Sequence, residues 1–200
     1  MRALEKIKLD EVRNLYEYEK VREGVRREII ALKAQRRIAV GDRLSLLFEN
    51  RRTVLFQIQE MIRAERIVAD ARVQDEIDVY NELIPGPGEL SATLMIEIED
   101  KERIKPELDR FMSIDGGDHV WLQIGRGDAA WAVSGLFEAG HSKEDKLAAV
   151  HFVRFAVPPE ARAAFAAGPV AVAVEHPNYR ARTDLTAELV QALAEELRQP

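Results

Sequence analysis

Arg51 and Glu65 are the residues whose placement most demands a chemical explanation. Projected at about 100° per residue, Leu44, Leu47, Phe48, Val54, Leu55, Ile58, Met61 and Ile62 form one apolar stripe along and just before the segment FENRRTVLFQIQEMIRAER. Arg51 and Glu65 fall inside that stripe. A charge on a buried face needs a partner. The two therefore mark a polar network in a core, either a binding site or a device that holds helices together. On the same predicted helix Glu49, Thr53, Gln57 and Glu60 make a polar line, with Phe56 beside it. If another layer covers that line, Glu49, Arg52, Gln57, Gln59, Glu60 and Arg63 line a cleft. Arginine there suits a carboxylate or phosphate, which it grips with two parallel hydrogen bonds. Charged pairs at an interlayer seam are also common scaffolding, and that reading leads.

A second cluster, His176-Pro177-Asn178-Tyr179-Arg180, leaves the end of a predicted strand, where sites often collect. The simpler explanation is that proline stops the strand while Asn178 and Tyr179 shape a turn. The candidate binding set is thus Arg51, Arg52, Glu60, Arg63, Glu65, His176 and Tyr179. No catalytic residue is assigned. Gly125-Arg126-Gly127 resembles the start of a dinucleotide loop, but a strand rather than a helix N-terminus follows, so it reads as a turn. Asp115-Gly116-Gly117-Asp118 lacks the spaced ligands and closing glutamate of a calcium loop. His119, His141, His151 and His176 show no metal-binding spacing, and no Gly-x-Ser-x-Gly elbow occurs. We therefore predict no metal and no cofactor.

The elements that must position these residues follow from apolar spacing. Asp10 is a predicted N-cap for a helix to about residue 35, with Leu15, Tyr18, Val21, Val25, Ile29 and Leu32 spaced three or four apart. Arg22 and Arg36 intrude on its apolar stripe and join the expected charge network. After a turn at Val40-Gly41-Asp42 the second helix is expected to begin near Leu44, making an antiparallel helical hairpin. A third helix over residues 72–83 ends at Pro85-Gly86-Pro87-Gly88. Beyond it, residues 94–98, 119–124, 129–137, 147–157 and 170–175 read as strands. An alanine-rich helix follows Pro158-Pro159. Thr183 or Asp184 caps a last helix bearing Leu185, Leu189, Leu193 and Leu197. Helices first and strands afterwards predict an α+β fold. Residues 1–88 form a helical layer on a mainly antiparallel sheet from residues 89–200, with two or three short helices, in one compact unit.

The chain has 200 residues, a net charge of −6 and no cysteine. The acidic balance argues against a general nucleic-acid or anionic-membrane binder. Without cysteine there is no disulfide, iron–sulfur cluster, thiolate zinc site or cysteine nucleophile. The opening MRALEKIKLD has no apolar signal core, and no run approaches a membrane span. A cytoplasmic location is expected, and a homo-oligomer is compatible with the composition.

RRIAVGDRLSLLFENRRTVLFQIQEMIRAER, followed by YNELIPGPGELSATLMIEIED, AAVHFVRF and HPNYR, resembles a bacterial family known as domain of unknown function 3501. The resemblance spans nearly the whole chain and brings no family activity. It implies a bacterial cytoplasmic protein whose relatives tend to be encoded beside a rubrerythrin and an iron–sulfur oxidoreductase subunit, hence a non-catalytic accessory or binding role in a redox or peroxide-stress system. The alternative is a small-molecule or metal-dependent enzyme with its site between the helical layer and the sheet.

Overall fold

The computed structural model describes residues 4–116, 118–127, 130–137 and 147–199. The first long helix, α1 (Leu15–Arg36), starts where the Asn14 side chain accepts from the Glu17 amide. The expected direct passage to a second helix is not found. Instead α1 runs into β1 (Arg37–Val40) and β2 (Leu44–Glu49), and only then into α2 (Arg51–Glu65). Asn50 caps α2, accepting from the amides of Arg52 and Thr53 while Thr53 Oγ1 accepts from the Asn50 amide. The misreading has a physical cause: every residue of β2 is buried, on both faces, so the strand shows no polar alternation. Next come α3 (Asp70–Asn81), β3 (Glu89–Ile96) and a short α4 (Ile104–Arg110) that has no apolar periodicity long enough to announce it.

The rest comprises β4 (Val120–Ile124), β5 (Trp131–Ser134), β6 (Leu136–Phe137) and β7 (Val150–Ala156), then α5 (Pro159–Ala167), β8 (Val170–His176), β9 (Tyr179–Asp184) and α6 (Ala187–Leu197). Strand β9 occupies the place expected for the start of the last helix. It is an edge strand with alternating exposed arginines, and the true cap is Thr186, which accepts from the Leu189 amide. His176 pairs with Tyr179 across a two-residue loop, so Pro177-Asn178 is a hairpin turn. Gly125 and Gly127 adopt φ of 85° and 68°, as a turn requires; Asp128, Gly117 and His141 lie outside the described residues.

The protein is α+β, with two sheets rather than one. Their orders are β1-β2-β3-β7-β6 and β5-β4-β8-β9, and every pairing is antiparallel. Inward residues of both sheets, among them Leu46, Phe48, Leu94, Val153, Leu122 and Val172, share one core with Phe165 of α5 and Leu193 of α6. On the outer face of the five-stranded sheet, α2 and α3 build a second core from Val54, Ile58, Ile62, Ile77 and Ile84, which Phe152 of β7 joins. Residues 4–88 thus contribute the edge strand β1 and its neighbour β2 as well as the helices α1, α2 and α3.

The segment before α1 is held mainly by two side-chain amides. Asn81 accepts from the Ile7 amide (2.8 Å) and donates to the Ile7 carbonyl (3.0 Å). Gln59 does the same for Arg13, at 2.7 and 3.0 Å. Each amide thus pairs with a residue as a neighbouring strand would.

Candidate functional site

The charges on α2 face α1. Arg22 grips Glu60 with two bonds of 2.8 Å, Nε to Oε1 and Nη2 to Oε2, and the Tyr18 hydroxyl donates to the same carboxylate at 2.7 Å. Arg63 pairs with Glu19 and Arg52 with Glu28. As numbers rise along α1 they fall along α2, so the helices run antiparallel and the pairs are rungs between them. The Arg22 hydrogen bond holds the Glu60 carboxyl below the usual glutamate range, outweighing burial, and Tyr18 adds to it. Burial, then the Glu60 hydrogen bond, pushes the Tyr18 phenol well above its ordinary value. Arg63 likewise lowers the carboxyl of Glu19.

Arg51 and Glu65 do not meet. They are the first and last residues of α2, on the order of 20 Å apart along the axis. Arg51 reaches the segment before α1, donating to the Glu5 carbonyl (2.8 Å) and both oxygens of Glu11. Glu65 is exposed. Phe56 is covered by α1, beside Val25 and Ile29, rather than by the sheet. The remaining candidates belong to the β8–β9 hairpin. His176 is buried; its Nδ1 accepts from the Asn178 amide (3.2 Å), which makes Nε2 the donor to the Met112 carbonyl (2.9 Å). The Tyr179 hydroxyl donates to the Val40 carbonyl (2.7 Å) and accepts from the Arg43 amide. The structure thus distributes the seven candidates over four places, and, Glu65 apart, they are engaged in holding elements together.

A different set converges between the helical layer and the five-stranded sheet. Alternation in the strands puts Arg37, Leu47, Thr93 and Phe152 in one row across β1, β2, β3 and β7, on the face turned to the helices. Glu49, two residues along β2, shares that face. With Val54 and Gln57 of α2, Tyr80 of α3 and Leu83, these residues enclose a cavity of about 350 Å³. Glu49, Thr93, Leu47, Val54 and Leu83 are buried and make the floor; Lys33, Arg37 and Val150 are at the rim.

Glu49 is 7% exposed. Its Oε1 accepts from Thr93 Oγ1 at 2.6 Å and its Oε2 from Thr53 Oγ1. Among the described residues it makes no ion pair, although the N-terminus of α2 lends a partial positive charge. Burial pushes the Tyr80 phenol up, against an opposing hydrogen bond with Gln57. The polar groups are one carboxylate, one phenol, one amide and the Thr93 hydroxyl, among apolar side chains, with the Lys33 ammonium and the Arg37 guanidinium at the rim. That composition suits recognition of a small molecule more than ligation of a metal. Among the described residues no group of three or more His, Asp or Glu is placed to hold an ion. A larger hollow of about 520 Å³ beside α5 and α6 is lined mostly by small and apolar residues and lacks a buried charged group.

Glu49 and Gln57 belong to the polar line read from sequence. Thr93, Tyr80, Lys33, Arg37 and Phe152 were not singled out. Their shared face follows from strand register, which the chain does not state.

A family model described as "Protein of unknown function (DUF3501)" matches residues 6–197. A crystal structure at 1.90 Å of a novel protein of unknown function from Burkholderia pseudomallei K96243 is 30% identical, with a TM-score of 0.88, covering 96% of this chain and 100% of that one. No curated protein matches the chain. No helix among the described residues is long and apolar enough to cross a membrane.

Proposed function

We propose, from the premise that this chain belongs to the DUF3501 family of proteins of unknown function, that it is a non-catalytic binding protein whose ligand occupies the interlayer cavity. One observation carries the reading: Glu49 lies in the floor of a largely apolar cavity of about 350 Å³, its carboxylate held by two hydroxyls and, among the described residues, in no ion pair. Burying a charge without an ion pair is costly, and a cationic ligand group would offset that cost. A thermal-shift screen tests the reading, because a ligand that binds only the folded state raises the melting temperature. Met95→Trp, at a half-buried wall position, fills the cavity. Hits that shift wild type and not Met95→Trp support the site; hits that shift both equally remove it.

The same proposal extends to cytoplasmic partners, a rubrerythrin or an iron–sulfur oxidoreductase subunit. With no cysteine in the chain, a redox role runs through a partner or a bound group. Recovery of such a partner with the protein at native expression supports this extension, and its repeated absence removes it. The alternative enzyme reading, small-molecule or metal-dependent, uses the same cavity with Glu49 as the reactive carboxylate. Turnover of a bound ligand that Glu49→Gln abolishes would favour it. Its metal version fails if protein purified without chelator carries far less than one iron, manganese or zinc per chain.

A further inference from the structure

The interlayer cavity is electrically two-ended. Its floor carries the Glu49 carboxylate. Thr53 Oγ1, one of the two hydroxyls on that carboxylate, also lies 2.9 Å from the Asn50 carbonyl. A hydroxyl has one hydrogen, so Thr53 divides it between two acceptors. Glu49 therefore keeps acceptor capacity for further N–H groups, of the roughly four lone-pair sites a carboxylate offers. The rim is positive. The Lys33 ammonium lies over the Phe56 ring at 5.6 Å, and Arg37 contacts Glu97 at 3.5 Å with both side chains about half exposed. The rest of the lining is largely apolar, from Leu47, Val54, Leu83, Met95 and Phe152.

Each simple ligand class fails at one point. An anion entering past Lys33 and Arg37 is repelled by Glu49. A neutral apolar molecule displaces water from the cavity and leaves the carboxylate without compensation. An amine without a second charge meets Glu49 but passes two cations and gains nothing from them. A molecule with an ammonium at one end, a carboxylate at the other and an apolar body between them matches floor, wall and rim together.

Resting on the cavity as a ligand site, we infer that its ligand is such an extended zwitterion, of the ω-amino acid type. The ammonium sits on Glu49 in the floor, and the carboxylate faces Lys33 and Arg37.

Calorimetric titration of the whole chain tests this with ω-amino acids of graded length, the corresponding alkylamines and alkylcarboxylates, and N-acetylated ω-amino acids, all at one ionic strength. One chain length should bind at least about tenfold tighter than either single-ended analogue, as expected when a charge-assisted hydrogen bond is gained at each end. N-acetylation, which removes the ammonium charge, should abolish that preference in the wild type, so the result does not depend on any variant folding. Glu49→Gln should lower zwitterion affinity by about tenfold or more. Lys33→Gln with Arg37→Gln should remove the advantage of the zwitterion over the amine, with amine affinity no lower than in the wild type. Equal binding of the N-acetylated compound overturns the inference, as does failure of every member of the set to bind. If the set fails while other compounds shift wild type and not Met95→Trp, the cavity stands and the zwitterion falls. If no compound depends on the Met95 position, the site itself falls.

Discussion

Arg22 holds Glu60 in a planar, two-bonded grip across the seam between α1 and α2, both bonds 2.8 Å, with the Tyr18 hydroxyl on the same carboxylate. The pairing gives charges on the inward side of α2 a structural purpose. It also makes the seam sensitive to acid.

Glu60 ionises more readily in the folded chain than unfolded, because Arg22 lowers its proton affinity. Its contribution to stability is therefore fully present above the unfolded value, about 4.3 for a glutamate, and lost as pH falls through the lower folded value. Glu60→Gln should cost about 1 kcal/mol at neutral pH, given the screening that a partly exposed pair experiences. The difference from wild type should shrink steadily as pH falls below the ordinary glutamate range. Urea melts at neutral and acidic pH check this; a difference that grows on acidification would refute the assignment.

Arg36 is the most deeply buried charge in the helical layer, its side chain 4% exposed. It donates to the Phe48 and Glu49 carbonyls and to both oxygens of Glu196 on α6, so it joins α1, β2 and α6. Arg36→Ala should destabilise by about 3 to 5 kcal/mol, and an apolar pair such as Arg36→Met with Glu196→Leu should recover much of that. Denaturant melts decide. A loss within about 1 kcal/mol for the single change would mean that the network is water-filled.

Arg51→Ala should behave differently, because Arg51 ties down a peripheral segment through Glu5 and Glu11. We expect a cost of about 1 to 2 kcal/mol, together with faster proteolysis before α1. Protease resistance equal to that of the wild type would show that the two amide clamps suffice.

Gly41 has φ of 72°, and a Cβ there would collide with the Tyr179 hydroxyl and touch Ala181. Gly41→Ala should cost about 2 kcal/mol or more, combining the left-handed backbone and the clash. Tyr179→Phe alone loses the bond to Val40 and should cost about 1 kcal/mol. The two changes together should cost less than their sum, since removing the hydroxyl relieves the crowding. Additive costs would place the clash elsewhere.

Residues with one wet and one dry face were legible in the sequence. Alpha1, α3, the β4–β5 hairpin and α6 all show periodic apolar residues beside polar ones. What failed was β2, dry on both sides, and β9, an edge strand with no hydrophobic run. The candidate site failed for a related reason. Arg51 and Glu65 share a projected stripe because projection discards the axis, and it is the axis that separates them. Glu49 and Thr93 are neighbours only through strand register, which is fixed by pairing over forty-four positions of chain. The charge network expected between the first two helices is present with other members: Arg22 belongs to it, and Glu60 rather than Glu65 accepts.

Asn81 and Gln59 hold the leading segment by main-chain atoms alone, at Ile7 and Arg13. Such a grip cannot read spelling, only spacing. Apart from Glu11, which Arg51 holds by its carboxylate, substitutions between the two clamps should therefore drift freely wherever the side chain points outward, while one residue inserted or deleted there puts one clamp out of step. Ile7, buried in the second core, sets the phase. Relatives of this chain should accordingly vary in the letters of this strap and agree in its length.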